Sequence, residues 1–282
     1  MKKGWKIGWI IAGIAAASGG VFCIAGVALG ARFDRINVRG DHVFHFLSGE
    51  MEEVSELDPA DDSYQEDDTG AGSGDHFSDV RQIEIEMSIG DVIIEETDGK
   101  EVEAEIPDDF RKIQCRQDGV KLTIENTERR SRLGQDVEPV VIGIPKGTIL
   151  EAFQCEIAAG EFTADTIHAS GIQISTGAGD VTIGQLKAAM MNLETGTGET
   201  DIVQADVTGA DIECGMGDIS LTLAGRETDY ECVTECGLGS VWIGDEEYTA
   251  LGSEKHLHKG AEKKLHIECG AGEIFIDFLQ EK

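Results

Sequence analysis

From Val80 to the C-terminus, apolar and polar residues alternate in short runs. RQIEIEMSIGDVIIEE from Arg81, VEAEI from Val102, IQCRQ from Ile113, VKLTIEN from Val120 and VVIGIP from Val140 place apolar side chains at every second position. That is the period of a β-strand with one buried face. Turn signals separate the runs: DGK at Asp98, QDG at Gln117 and PKG at Pro145. QLKAAMM from Gln185 is the one stretch that suggests a helix, and its period fits strand or turn equally.

The alternation contains a repeated phrase: ISTGAGDVTI from Ile174, LETGTGETDI from Leu193, IECGMGDISL from Ile212, TECGLGSVWI from Thr234 and IECGAGEIFI from Ile267. Fainter copies are IEMSIGDVII from Ile85 and CEIAAGEFTA from Cys155. The interval from Ile174 to Leu193 equals that from Leu193 to Ile212; the next interval is slightly longer and the last longer still. Repetition at about 20 residues is the signature of a solenoid, whose coils bury their apolar sides only against neighbouring coils. Aligned on Gly90, Gly160, Gly179, Gly198, Gly217, Gly239 and Gly272, the apolar positions fall five before and two and four after the glycine. Even steps within each strand turn them to one interior. The glycine takes a corner where a positive φ or close backbone approach excludes a Cβ. Each coil is therefore expected to read strand, glycine corner, strand, return, with consecutive copies directly above one another. The expected fold is all-β, a right-handed single-stranded β-helix or β-solenoid, with an N-terminal transmembrane helix. Residues 80–150, with longer loops, form its N-terminal capping region, and 151–282 its glycine-cornered repeats.

Two columns point outward and are acidic. Before the corner stand Glu86, Glu156, Ser175, Glu194, Glu213, Glu235 and Glu268; after it stand Asp91, Glu161, Asp180, Glu199, Asp218, Ser240 and Glu273. Stacked about 4.8 Å apart, like charges repel unless solvated, screened or bridged by cations. Hard oxygen ligands at this spacing suit calcium, which makes Glu194, Glu213, Glu235, Glu268, Asp180, Glu199, Asp218 and Glu273 the candidate cation ladder. The plainer reading is a solubilising face that blocks sheet-to-sheet association. Cys214, Cys236 and Cys269 share an inward column that earlier coils fill with Thr176 and Thr195. They read as small buried hydrophobes, with a disulfide or a metal as alternatives. His256, His258 and His266 flank the insertion ALGSEKHLHKGAEKK, read as a protruding hairpin or loop with Lys255, Lys259, Lys263 and Lys264 solvated.

Composition adds location. The 282 residues carry 55 Asp and Glu against 23 Lys and Arg, a net charge of -32, which disfavours nucleic acid as a partner. No charged residue occurs from Ile7 to Ala31, following Lys2, Lys3 and Lys6. That stretch exceeds the ~20 residues a helix needs to cross a bilayer, and Trp5 and Trp9 suit an interfacial anchor. Residues 1–6 are expected as a cytoplasmic tail, 7–31 as a single span and the remainder outside the membrane. A cleaved signal peptide is the rival, with Ala28-Leu29-Gly30 as its processing site. Residues 32–79 form a juxtamembrane segment and acidic spacer, since Glu50 to Asp79 contains no Lys or Arg and twelve Asp or Glu.

The chain has no G-x-S-x-G, H-E-x-x-H or P-loop lysine, so no catalytic residue or cofactor is assigned. The iterated (I/L)-E-x-G-x-G-(D/E)-hydrophobic phrase and VVIGIPKGTIL from Val140 resemble the bacterial putative-adhesin domain family, over about Val80 to Phe278. The resemblance implies a surface-exposed β-solenoid behind a single membrane span, with no reaction and no established binding residues. The expected function is adhesin-like surface binding or envelope scaffolding, with an unknown extracellular or envelope ligand. One rival is an envelope sensor acting on another membrane protein. Another is a carbohydrate-active β-helix enzyme, which requires three or more carboxylates beside Arg or Lys in a cleft.

Overall fold

A computed structural model describes residues 75–107, 113–126, 138–248 and 255–279. The N-terminal strands are β1 (Asp75–Phe77), β2 (Gln82–Met87), β3 (Val92–Thr97), β4 (Val102–Glu105), β5 (Ile113–Asp118), β6 (Lys121–Asn126) and β7 (Val140–Pro145). The central strands are β8 (Leu150–Ala159), β9 (Phe162–Ala178), β10 (Val181–Thr197), β11 (Glu199–Cys214) and β12 (Asp218–Ala224). Then come β13 (Tyr230–Cys236), β14 (Ser240–Ile243), β15 (Glu246–Tyr248), β16 (Lys255–Leu257), β17 (Lys263–Cys269) and β18 (Glu273–Leu279). Together they make one 18-stranded, mainly parallel sheet wound into coils, so the expected all-β solenoid stands. Among the described residues no helix is long and apolar enough to cross a membrane; the expected span at 7–31 lies outside them. The sheet begins at Asp75, inside the stretch expected to be spacer, where β1 pairs antiparallel with β4.

The coils are three-sided, and the sequence shows why. In β9 the buried positions are Phe162 and Ala164, then Ile167 and Ala169, then Ile172, Ile174 and Thr176. Within a side the step is two; between sides it is three, so two successive residues face out and the chain turns. β10 repeats the pattern with Val181, Ile183, Leu186, Ala188, Met191, Leu193 and Thr195. The expected return is thus itself strand, and QLKAAMM is part of β10. In-register parallel pairing (Ile174 with Leu193, Leu193 with Ile212) stacks each buried position on its equivalent, giving a continuous aliphatic core.

Both ends of the stack depart from chain order. Before the corner, the strands run β5, β6, β2, β8, β9, β10, β11, β17, β13, β16 across the sheet. After it they run β1, β4, β7, β3, β9, β10, β11, β12, β18, β14, β15. The last copy in the chain, β17–β18, therefore lies between the copies that begin at Ile212 and Thr234. At the other end the first copy, β2–β3, lies inside the coil made by β6 and β7. This corrects the expectation that consecutive copies stack directly. The outermost coils are closed by antiparallel strands: β5 and β4 at one end, β16 and β15 at the other. Short antiparallel edges leave no long parallel edge for another chain to join.

The corner glycines serve two physical ends. Gly179 has φ 137°, a region that side chains avoid, and a Cβ there would overlap the carbonyl oxygen of Gly160 in the coil below. Gly272 has an ordinary φ, but its Cβ would overlap the Gly217 carbonyl, because backbones stack without side chains between them.

Candidate functional site

The first acidic column forms a row in the order Glu125, Glu86, Glu156, Ser175, Glu194, Glu213, Glu268, Glu235. The four candidates Glu194, Glu213, Glu268 and Glu235 are neighbours within it. Ser175 interrupts the charge and donates a hydrogen bond to Glu194 Oε2 at 3.1 Å. Burial, then the neighbouring carboxylates, raises the carboxyl of Glu213 above its ordinary value. Burial first also raises Glu268 and Glu86.

A carboxyl held above its unfolded value gives up its proton more readily in the unfolded chain, so stability falls as pH rises through the shifted range. Mild acidification from neutral pH, which restores protons to these carboxyls, is therefore expected to raise the thermal midpoint at low salt. Asp206 and Glu231 act oppositely, since Lys187 and Lys264 hold them below their ordinary values, and their contribution is lost as pH falls further. Glu213→Gln relieves one like-charge contact on each side and is expected to stabilise by about 0.2–1 kcal/mol, with a flatter pH dependence. A urea titration at two pH values checks both statements.

The second column orders as Asp91, Glu161, Asp180, Glu199, Asp218, Glu273. Asp180, Glu199, Asp218 and Glu273 are again neighbours. Here the aspartates have a structural task that the sequence did not reveal. Asp91 Oδ1 accepts from the Glu161 N–H at 2.8 Å, Asp180 Oδ1 from Glu199 at 2.9 Å and Asp218 Oδ1 from Glu273 at 3.2 Å. The shorter side chain ties each such coil to the next, and the glutamates reach solvent. Ser240, expected outward, is buried and ends this row. Among the described residues no three His, Cys, Asp or Glu side chains converge as a metal site. Millimolar calcium is expected to move the melting temperature no further than sodium chloride of equal ionic strength; a larger shift would establish the cation ladder.

The inward column reads Asn126, Met87, Ile157, Thr176, Thr195, Cys214, Cys269, Cys236 through the stack. The three cysteines are buried free thiols, as the reading of small buried hydrophobes expects. Each sulfur donates to a corner carbonyl: Cys214 to Gly217 at 2.9 Å, Cys269 to Gly272 at 3.1 Å and Cys236 to Gly239 at 3.0 Å.

The insertion is less free than expected. Lys255 heads β16, which caps β13, and its Nζ lies 4.9 Å from the Tyr248 ring centroid. Lys263 is largely covered: Nζ donates to Tyr230 Oη at 3.0 Å and Ala224 O at 3.3 Å, and stands 4.7 Å from the Tyr230 ring centroid. Lys264 pairs with Glu231 at 2.9 Å. Beside this pair opens a recess of about 470 Å³, with Met190, Gly209 and Leu265 among its apolar lining and Asp211, Glu231, Glu262 and His266 around Lys264. His266 lies 3.9 Å from Asp211 and 3.7 Å from Glu268. Neither this recess nor a second surface feature was anticipated. On the outer face after the corner, Trp242 and Phe275 stack at 6.2 Å between centroids and 15° between planes. They occupy the row that other coils fill with Thr163, Thr182, Asp201 and Ser220. Sequence alone could have shown them as neighbours, since they are large aromatics at the same outward position of consecutive copies.

Residues 80–281 match the family model described as Toastrack DUF4097. Similar solved structures include a putative cell adhesion protein from Clostridium sporogenes ATCC 15579, at 14% identity and TM-score 0.40, covering 71% of this chain and 93% of that one. A putative adhesin from Bacteroides fragilis NCTC 9343 is 14% identical with TM-score 0.37, covering 72% and 94%. Another putative adhesin, from Parabacteroides distasonis ATCC 8503, is 14% identical with TM-score 0.36 over the same shares. The comparison with curated proteins gives no match. The stacked glycine-cornered coils and the family match over residues 80–281 make this chain a member of the Toastrack DUF4097 family.

Proposed function

We propose that the chain is a non-catalytic, adhesin-like binding or scaffold protein, held at the cell membrane by residues 7–31 with its solenoid outside. The coils are taken to wind right-handed, as parallel β-crossovers nearly always do. The observation that carries the reading is the Trp242–Phe275 pair, with Phe275 38% exposed in a row whose nearest other members are Ser220, Asp201 and Thr182. Exposed aromatics at the centre of a polar rim are typical contact anchors. Rows repeated at a fixed coil spacing would add to such a contact by multivalency. Cells carrying Trp242→Ala with Phe275→Ala should retain the protein at the surface and attach less to their native substratum or envelope partner. Unchanged attachment together with altered transcription after gene deletion would favour the sensor reading instead.

The recess supports a second reading, since Asp211, Glu231 and Glu262 line it together with Lys264, the residue types a carbohydrate-active site requires. Against it, Glu231 is committed to Lys264 and to the Gly260 N–H at 3.1 Å. Its carboxyl is held low, the reverse of what a proton donor needs. Release of reducing or unsaturated ends from envelope polysaccharide, abolished by Lys264→Ala, would establish the enzyme.

A further inference from the structure

The thiol column lies against the glycine corners, each sulfur bonded to a corner carbonyl. Cys214, Cys269 and Cys236 sit directly beneath the glycine corners, and the residues capping them, Gly215, Met216, Gly237, Leu238, Gly270 and Ala271, are all exposed. Cys214 and Cys269 are 4% exposed, and one layer of glycine backbone separates them from solvent. A small uncharged oxidant has little to cross.

Cys214 and Cys269 are register partners in β11 and β17. Partners in adjacent strands have Cα atoms roughly 4.8 Å apart, inside the range of about 4.4–6.8 Å that a disulfide spans. The Cys214 sulfur leans toward the coil of Cys269, lying 2.9 Å from where a Cβ on Gly272 would be, and the Cys269 sulfur leans likewise toward the coil of Cys236, its other register partner. The Cys269 side chain alongside is the largest influence on the Cys214 thiol and lowers it from its ordinary value, against burial, which raises it. By contrast, burial holds the Cys155 thiol well above the ordinary range and pushes Cys232 up to about 12.

We propose that Cys214 and Cys269 form a reversible oxidation site for peroxides, whose disulfide staples the inserted C-terminal coil to its neighbour. The Cys214 thiolate attacks one peroxide oxygen and breaks the O–O bond, giving a sulfenic acid; the departing hydroxide takes a proton and leaves as water. The Cys269 sulfur then attacks the Cys214 sulfur, expelling the hydroxyl, which takes the Cys269 proton and leaves as a second water. Two thiols are oxidised by two electrons and one peroxide is reduced to two waters. The bond closes the same 55-residue separation that joins Asp218 to Glu273. It therefore fixes the one copy whose place in the stack differs from its place in the chain.

The test treats the reduced full-length chain with hydrogen peroxide, blocks remaining thiols after denaturation, and maps peptides without reduction. Expected is a Cys214–Cys269 cross-linked peptide, lost on adding dithiothreitol, with the melting temperature higher by roughly 5–15 °C in the oxidised form. Cys236→Ser should leave the cross-link intact, and Cys269→Ser should remove it while circular dichroism keeps its strand signal. Chain unfolded in urea before oxidation should give mixed pairings, which separates a folded-state site from general thiol chemistry. Full alkylation of Cys214 and Cys269 after peroxide, a Cys236–Cys269 bond, a cross-link between chains, or sulfinic acid without a cross-link would each overturn the proposal.

Discussion

Truncation before Lys263 is expected to unfold the entire domain rather than fray its end. The deletion removes β17 and β18, which pair with β11 and β12 on one side and with β13 and β14 on the other. It withdraws Leu265, Ile267, Cys269, Ile274 and Ile276 from the middle of the core. At about 1.5–3 kcal/mol for each of the four large aliphatic side chains among them, the loss is on the order of 6–12 kcal/mol. That matches the whole stability of a typical domain, roughly 5–15 kcal/mol. Stacking in chain order would make the same truncation the loss of one terminal coil, costing only that coil and its single interface.

The complementary deletion makes the contrast sharper. Removing residues 226–261 takes out β13 to β16, the outermost coil with its caps, and brings Gly217 and Gly272 to the separation that Gly179 and Gly198 have. That is the period of the central copies, so β12 should run into β17 within one coil, as the start of β11 runs into its end. This shorter chain should unfold cooperatively at a lower urea midpoint, where the truncated one shows no transition. Loss of cooperativity in both, or in neither, would be inconsistent with the exchanged order.

The second large effect concerns the corner. Gly179→Ala must place a methyl group on a backbone at φ 137° and against the Gly160 carbonyl, with no flexible side chain to yield. The coils must separate locally or the corner must rebuild, and either is expected to cost about 4 kcal/mol or more. Gly147→Ala is the control: its φ is 76° and nothing lies within 4 Å of the new methyl. That substitution should cost only about 1–2 kcal/mol. Urea midpoints of the two variants measure the difference, which combines the close approach of the coils with the backbone conformation of the corner. Similar midpoints would mean that the corner is not closely packed.

Much of this architecture was legible because a solenoid writes its core into a period. The columns through Ile174, Leu193 and Ile212 are buried as the alternation required, and the acidic residues before the corner form the expected row. Even the three sides are marked, by the steps of three from Ile183 to Leu186 and from Ala188 to Met191. Coil order was not legible, because every copy presents the same apolar column and any copy stacks acceptably on any other. The only hint was spacing. The intervals from Ile212 to Thr234 and from Thr234 to Ile267 exceed that of the central copies, and the excess proves to be a whole coil placed outside its successor. One site feature depends on that order: Cys269 meets Cys214 only because β17–β18 is inserted. Trp242 meets Phe275, Lys264 meets Glu231 and Lys263 meets Tyr230 across consecutive copies, which are neighbours in either order.

The most direct test of the exchanged order is a cross-strand nuclear Overhauser measurement on isotope-labelled protein. Backbone protons of Glu213 should show contacts with the Ile267–Cys269 segment, and those of Glu235 should show contacts with the same segment from its other side. Contacts running directly from Glu213 to Glu235, with Glu268 beyond them at the edge, would contradict the account.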